Sequence, residues 1–407
     1  MTTADVTIER LAAGGDGVAR TDGVVVFVPR SAPGDHARVR LDVRKRFARG
    51  TIETLLEPSP DRVEPPCSHY THDRCGGCQI QHLRYRAQLE AKRGIVHDAI
   101  VRIGKRVTDA PAIEASPNQW RYRRKLTLAM RRRRDGTWVV GLHPYDAPSR
   151  VFQLYDCPIT DEGVLAVWRE VMAAHAHFPP ADELRAFVQM LDSGTVVVME
   201  GANAWPARAA FFAAVPSATS LWWKPANRAR SLVAARGDAS ASFAQVNREV
   251  GARLHQHVLD RARAHEPRVV VDAYAGSGST AIPLARDGRR VIAIESDRAA
   301  AARCGAALPA GSEAIARRVE DAIHQALPAD VVLINPPRAG IHESVAAALQ
   351  TAAPSPRAVI YVSCDPATLA RDLSRMPRYR IASLRSFDMF PQTAHVETVC
   401  ELVPEAA

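Results

Sequence analysis

The chain has 407 residues, 47% apolar and 24% charged, with a formal net charge of +9. That mix fits about two or three globular domains with their own cores and needs no disulfide scaffold. No run of 18 apolar residues occurs, which argues against a membrane helix, and Asp5, Glu9, Asp16 and Asp22 break up any secretory signal, so a reducing cytoplasm is expected.

In chain order, residues 3–57 read as short strands parted by glycine turns. Val24–Val28 is a buried strand bounded by Asp22-Gly23 and Pro29. Alternation over Ala37–Val43 and a further run at Gly50–Leu56 predict a small antiparallel barrel that closes before Pro58-Ser59-Pro60. A cysteine-rich loop follows, then helical spacing over Tyr85–Ile103 that stops at Gly104. Lys125–Met130, Trp138–Leu142 and Thr195–Met199 read as strands and Glu162–Ala174 as a helix, which makes residues 117–235 an α+β region. From about residue 240, Val269–Ala273, Val291–Glu295, Asp330–Ile334 and Ala358–Ser363 alternate with helix-compatible stretches. That pattern predicts βαβ units and a doubly wound parallel sheet.

The positive charge is confined. Residues 1–150 hold 27 Lys/Arg against 17 Asp/Glu, and residues 151–407 hold 26 against 27. The sharpest run is Arg131–Arg134, preceded by Arg121, Arg123, Arg124 and Lys125. Clustered guanidinium groups neutralise phosphates, so a nucleic-acid partner is expected, with residues 121–134 on its path; a solvated arginine face is the plainer alternative.

Cys67, Cys75 and Cys78 cluster around Gly76-Gly77, and Cys157 follows far downstream. Four thiolates can hold zinc or a [4Fe–4S] cluster. Three close ligands and one remote suit the cubane better than a zinc ribbon, and His69 and His72 keep zinc open. Further on, Gly276-Ser-Gly278-Ser-Thr-Ala281 joins a strand to a helix, and the acidic Glu295 ends the next strand. That geometry serves both NAD and S-adenosylmethionine. Cys364 ends the Val359–Cys364 run and begins Cys364-Asp365-Pro366. Asn335-Pro336-Pro337-Arg338 follows another strand, and Phe390–Glu397 carries His395 and Glu397. All three fall at one edge of the expected sheet, where doubly wound folds place their ligands.

These motifs resemble the S-adenosylmethionine-dependent RNA uracil-5-methyltransferase family over nearly the whole chain. The most specific are Ser363–Asp372 and Asp388–Glu397. The resemblance implies a TRAM (OB-like) RNA-binding barrel at residues 1–58, with Pro33-Gly34 after the Phe27-Val28-Pro29 strand. It implies an iron–sulfur and α+β central region at 59–239 and a Rossmann-like methyltransferase domain at 240–407, entered through Phe243–Asn247. Cys67, Cys75, Cys78 and Cys157 match its [4Fe–4S] ligands. Cys364 would attack carbon 6 of a uracil, and Glu397 would remove the carbon-5 proton, with the base flipped out of its stack. Gln245, Tyr274, Ser279, Glu295 and Asn335 occupy its S-adenosylmethionine positions. Asn335 stands where the family usually has Asp, Ser279 where it often has Asn, and the Cys67–Cys75 gap is longer than expected. The barrel and cysteines go with the members that modify 23S ribosomal RNA, and no obligate protein partner is implied. Asn335-Pro336-Pro337 also echoes amino-methylating enzymes, which need no cysteine nucleophile. An RNA-binding iron–sulfur protein without catalysis is the non-enzymatic alternative.

Overall fold

The computed structural model describes residues 2–237 and 245–405; Phe243 and the expected boundary at 239/240 lie outside them. Its strands form three sheets. In the first, His36–Val43 pairs antiparallel with Thr2–Thr7 on one side and Ala48–Glu57 on the other. Val24–Val28 pairs with Gly17–Thr21 and meets Ala48 and Arg49 in parallel. Alternation decides which face is buried. Ala37 and Val39 face a core with Val6, Ile8, Ala19, Val26 and Val28, while Arg38 and Arg40 face solvent.

The second sheet runs in the order 231–235, 220–224, 194–200, 183–191, 125–132, 138–141. Helix Glu162–Ala173 covers it through Val164, Leu165, Trp168 and Val171, which pack on Leu126, Leu128 and Met130. Three of these strands, Glu183–Leu191, Ser220–Lys224 and Ser231–Ala235, go beyond the sequence reading. Glu183–Leu191 shows why. Leu184, Ala186 and Val188 face the helix while Phe187 and Leu191 join a second apolar cluster, so most of the strand is buried on both sides and polar alternation is lost.

The third sheet has eight strands in the order 313–315, 290–294, 269–273, 331–334, 358–363, 397–404, 379–387, 112–114. The first five run parallel. Glu397–Pro404 is antiparallel to Ala358–Ser363, and Tyr379–Phe387 is antiparallel to it in turn. Chain order reverses beside Val269–Ala273, which opens a crevice at the strands' carboxyl ends. Residues 85–114 belong to this layer in space. Helix Tyr85–Arg102 sinks Val96, Ala99 and Ile100 into the core of this sheet, and Ala112–Glu114 pairs with Arg385–Phe387 at the sheet edge. Among the described residues no helix is long and apolar enough to cross a membrane.

Candidate active site and cysteine cavity

Ala358–Ser363 is buried at every position and ends abruptly. Asp365 caps the following helix, Pro366–Ser374, by accepting the Thr368 N–H at 2.8 Å, and Pro366 supplies a preset first turn. Ser363 Oγ donates to the Asp365 carbonyl at 3.0 Å, which tightens the elbow that presents Cys364. On the neighbouring antiparallel strand Ser363 faces Thr398. One step beyond that pair stand Cys364 and Glu397, so the register brings the two residues together.

Burial pushes the Glu397 carboxyl up to about 7, against the pull of the Arg338 guanidinium. The Cys364 thiol is also raised, first by burial and then by Glu397; the nearby Arg338 guanidinium opposes both. Arg338 is the group missing from the sequence-derived site. Its signal was legible in the Pro-Pro-Arg run after a strand. The structure shows what holds it: Arg371 donates to the Ala339 carbonyl at 2.7 Å, and Ile341 N–H donates to the buried Asp372 at 3.0 Å. Tyr361 O–H also donates to Asp372, at 2.7 Å.

The loop leading to Glu397 is held from outside the sheet. Lys92, fully buried on helix 85–102, pairs with the fully buried Asp388 and donates to the Phe390 carbonyl at 2.9 Å. Tyr85 O–H donates to Asp388 at 2.8 Å, and Tyr122 O–H donates to the Pro391 carbonyl at 2.9 Å. Gln88 and Gln392 exchange two bonds, at 2.9 and 3.0 Å. The cysteine loop joins in: Ala394 N–H reaches Gln79 Oε1 at 3.3 Å, and Ile80 N–H reaches the Gln392 carbonyl at 3.2 Å. His395 is exposed and edge-on to Phe390.

At the crevice, Tyr274, Glu295 and Asn335 follow the carboxyl ends of three adjacent strands. Tyr274 takes φ +66°, and Gly276 and Gly278 take +58° and +90°. A Cβ on Gly278 would stand 2.7 Å from Cys304 Sγ, so both its angle and its surroundings require glycine. The Glu295 carboxylate accepts from Gly276 N–H at 2.9 Å and Asp297 N–H at 2.7 Å. It is thereby fixed while keeping lone pairs free for a ribose diol. Asp272, buried beneath the loop, accepts from Thr280 Oγ1; burial raises it to about 6. Asn335 is exposed. Ser279 is exposed too, and its carbonyl is within 2.7 Å of His255 Nε2. Gln245 packs against Gly251 at the start of helix Arg248–Arg263, which Asn247 caps.

Cys67, Cys75, Cys78 and Cys157 line one cavity of about 220 Å³, which Arg338, Thr393 and His395 also line. The thiols surround a space; among the described residues no three His, Cys, Asp or Glu side chains converge tightly enough to hold a single ion. Burial pushes Cys67 and Cys75 up to about 11 and Cys78 higher still. Arg30 Nη1 is buried with no partner and interacts electrostatically with Cys67, Cys75 and Cys78. An anionic thiolate-bound group would answer both imbalances, so the residues fit such a centre. A Cβ on Gly77 would touch Cys75 Sγ at 3.4 Å, and one on Gly76 would stand 3.1 Å from the His143 carbonyl. His69 is accounted for otherwise, between Asp73 at 2.7 Å and the Tyr155 N–H at 3.1 Å.

The basic run does not form one face. Arg121 pairs with Asp156 and Glu162, Arg124 with Asp192 and Arg131 with Glu183. Arg123 lines the cysteine cavity. Arg132, Arg133 and Arg134 are exposed at the 132–138 turn.

The chain is similar to known proteins over nearly its whole length. Residues 310–403 match the tRNA (uracil-5-)-methyltransferase family and residues 2–52 the TRAM domain. The chain is 30% identical to the 23S rRNA (uracil(1939)-C(5))-methyltransferase of Pseudomonas putida, over 96% of this chain and 92% of that protein. It is 31% identical to an RNA methyltransferase of Halalkalibacterium halodurans, over 98% of this chain and 96% of that one. A crystal structure of the Pyrococcus abyssi tRNA (uracil-54, C5)-methyltransferase in complex with S-adenosyl-L-homocysteine shares the fold, with a TM-score of 0.69 and 24% identity over 98% of this chain and all of that one.

Proposed function

Because this chain belongs to the S-adenosylmethionine-dependent RNA uracil-5-methyltransferase family, we propose that it methylates carbon 5 of a uridine in 23S ribosomal RNA through a covalent Cys364 adduct. One observation carries the covalent step: Cys364 and Glu397 lie side by side at the ends of paired strands, with Arg338 beside both. The Cys364 thiolate adds to carbon 6 of a flipped uracil, forming the sulfur–carbon bond and turning carbon 5 into an enolate-type nucleophile. Carbon 5 takes the methyl group from the sulfonium, and S-adenosylhomocysteine leaves. Glu397 accepts the carbon-5 proton, the carbon–sulfur bond breaks, and Cys364 departs as thiolate. A carboxyl poised near 7 suits a base that must both take and release a proton. Arg338 lowers the cost of the thiolate at each end of the cycle.

Glu295 would accept hydrogen bonds from the cofactor's ribose hydroxyls, and the loop from Tyr274 to Ser279 would cradle the rest of it. Asn335 offers a carbonyl where an aspartate would add charge attraction to the sulfonium. Cys67, Cys75, Cys78 and Cys157 would hold a [4Fe–4S] cluster. When bound, that group supplies a cross-link between the 67–78 loop, which braces the loop before Glu397, and Cys157 beside the second sheet.

The test is methyl transfer from labelled S-adenosylmethionine to 23S ribosomal RNA and to transfer RNA, each digested to nucleosides. The expected product is 5-methyluridine from the ribosomal substrate. Label in an amino-methylated nucleoside, or in transfer RNA alone, would overturn this reading.

A further inference from the structure

The N-terminal barrel reaches the cysteine loop. Arg30 lies just beyond the end of the Val24–Val28 strand, in the left-handed region at φ +61°. A non-glycine residue holds that angle only when its surroundings over-determine it, and here they do. Arg62 Nη2 donates to the Arg30 carbonyl at 3.0 Å, and Arg62 is itself clamped by the fully buried Asp35. Asp35 also accepts the Ala32 N–H at 2.6 Å and the Ser59 N–H at 2.9 Å. His82, buried in the cysteine-loop segment, stands 3.1 Å from the Ser31 carbonyl.

This scaffold aims one guanidinium. Arg30 Nη2 donates to the Cys75 carbonyl at 2.5 Å, and the guanidinium lies 3.4 Å from the Tyr70 ring centroid and 4.9 Å from that of Tyr145. Nη1 is buried without a partner. Among the described residues no carboxylate lies within salt-bridge distance of Arg30; Tyr145, Cys78, Cys75, Cys67 and Asp16 are the groups that feel its charge. A buried guanidinium N–H without an acceptor is costly, and among the described residues Nη1 finds none, so the geometry leaves that donor for a group held by the cysteine loop.

We propose that Arg30 is the outer-sphere cation of the cysteine-bound cluster, which makes the RNA-binding barrel a structural part of that metal site. The proposal rests on the reading that the four cysteines hold a [4Fe–4S] group. Its consequence is that barrel and cluster stabilise each other: the cluster's charge holds Arg30 down, and Arg30 stacks on Tyr70, which lines the cavity.

The experiment compares full-length wild type, R30M and R30K after anaerobic reconstitution with iron and sulfide. Iron content, the midpoint potential followed by electron paramagnetic resonance, and the rate of iron loss to a chelator are measured. Removing a cation disfavours an added electron. R30M should therefore load iron, show a more negative midpoint and lose iron several-fold faster. R30K keeps the charge but not the planar fork, so its midpoint should stay near wild type while iron leaves faster. Wild-type midpoint and release rate in R30M would overturn the proposal; if R30M does not fold, a wild-type release rate in R30K would do so. Failure of wild-type protein itself to take up iron and sulfide would instead remove the cluster reading beneath it.

Discussion

Glu397 shows how a single residue trades stability for chemistry. Its carboxyl is raised to about 7 by burial, so the folded state holds the proton more tightly than the unfolded chain does. Stability from this group is therefore greatest below the ordinary carboxylate range and declines as pH rises toward 7. Glu397→Gln removes the buried charge and should abolish turnover. It should also melt above wild type at pH 8 and level with it near pH 4.5. An equal gap at both pH values in thermal denaturation would show that Glu397 carries no such cost. Arg338 acts in the opposite direction, on the thiol. Arg338→Met should push Cys364 further up and move the rising limb of the single-turnover pH profile to more alkaline values, by about one unit for each 1.4 kcal/mol of lost thiolate stabilisation. An unshifted profile with a lower plateau would reduce Arg338 to substrate positioning.

Among the elements, legibility in the sequence followed burial pattern. Val24–Val28, Val269–Ala273 and Ala358–Ser363 are β-branched runs between turn residues, and they form strands with those bounds. Glu183–Leu191 is apolar on both faces, so its periodicity says little. Ala112–Glu114 pairs with Arg385–Phe387 more than 270 positions away, which no local pattern can announce. Lys92 was hidden for a related reason: a lysine within a helical repeat reads as a solvated charge, yet it is buried against Asp388 from a distant strand end. The residues near Cys364 and Glu397 were legible because they lie in short, chemically distinctive runs. Arg338 was legible only as the end of the Asn335–Arg338 run, and Arg30 was not singled out because arginine is common in this chain. Helix 85–102 is thus a brace for the loop before Glu397. Lys92→Met leaves Asp388 buried and unpaired and should cost about 3–5 kcal/mol in urea unfolding. Adding Asp388→Leu should recover part of that loss. A cost under about 0.5 kcal/mol, as for a surface substitution, would contradict the brace.

Across the whole molecule, the cysteine loop is where the three sheets meet. The barrel reaches it through Arg30, the second sheet through Arg123 and the segment carrying Cys157, and the third through Gln392 and Ala394. The charge surplus of the first 150 residues is only partly available to a polyanion, since Arg121, Arg124 and Arg131 already hold carboxylates. Arg132, Arg133 and Arg134 remain exposed at their turn. Replacing these three with Ala should lower the slope of log affinity against log salt by about two, at about 0.7 per phosphate contact on single-stranded RNA. An unchanged slope would place the RNA elsewhere.

The covalent adduct is the central claim, and 5-fluorouridine tests it most directly. Fluorine at carbon 5 cannot leave as a proton, so Glu397 has nothing to remove and the Cys364–carbon 6 bond cannot break. Protein incubated with S-adenosylmethionine and 23S ribosomal RNA carrying 5-fluorouridine should give an RNA-linked band in a denaturing gel, and Cys364→Ala should give none. A Cys364→Ala protein that forms the same band, or that still methylates uridine at carbon 5, would contradict the account.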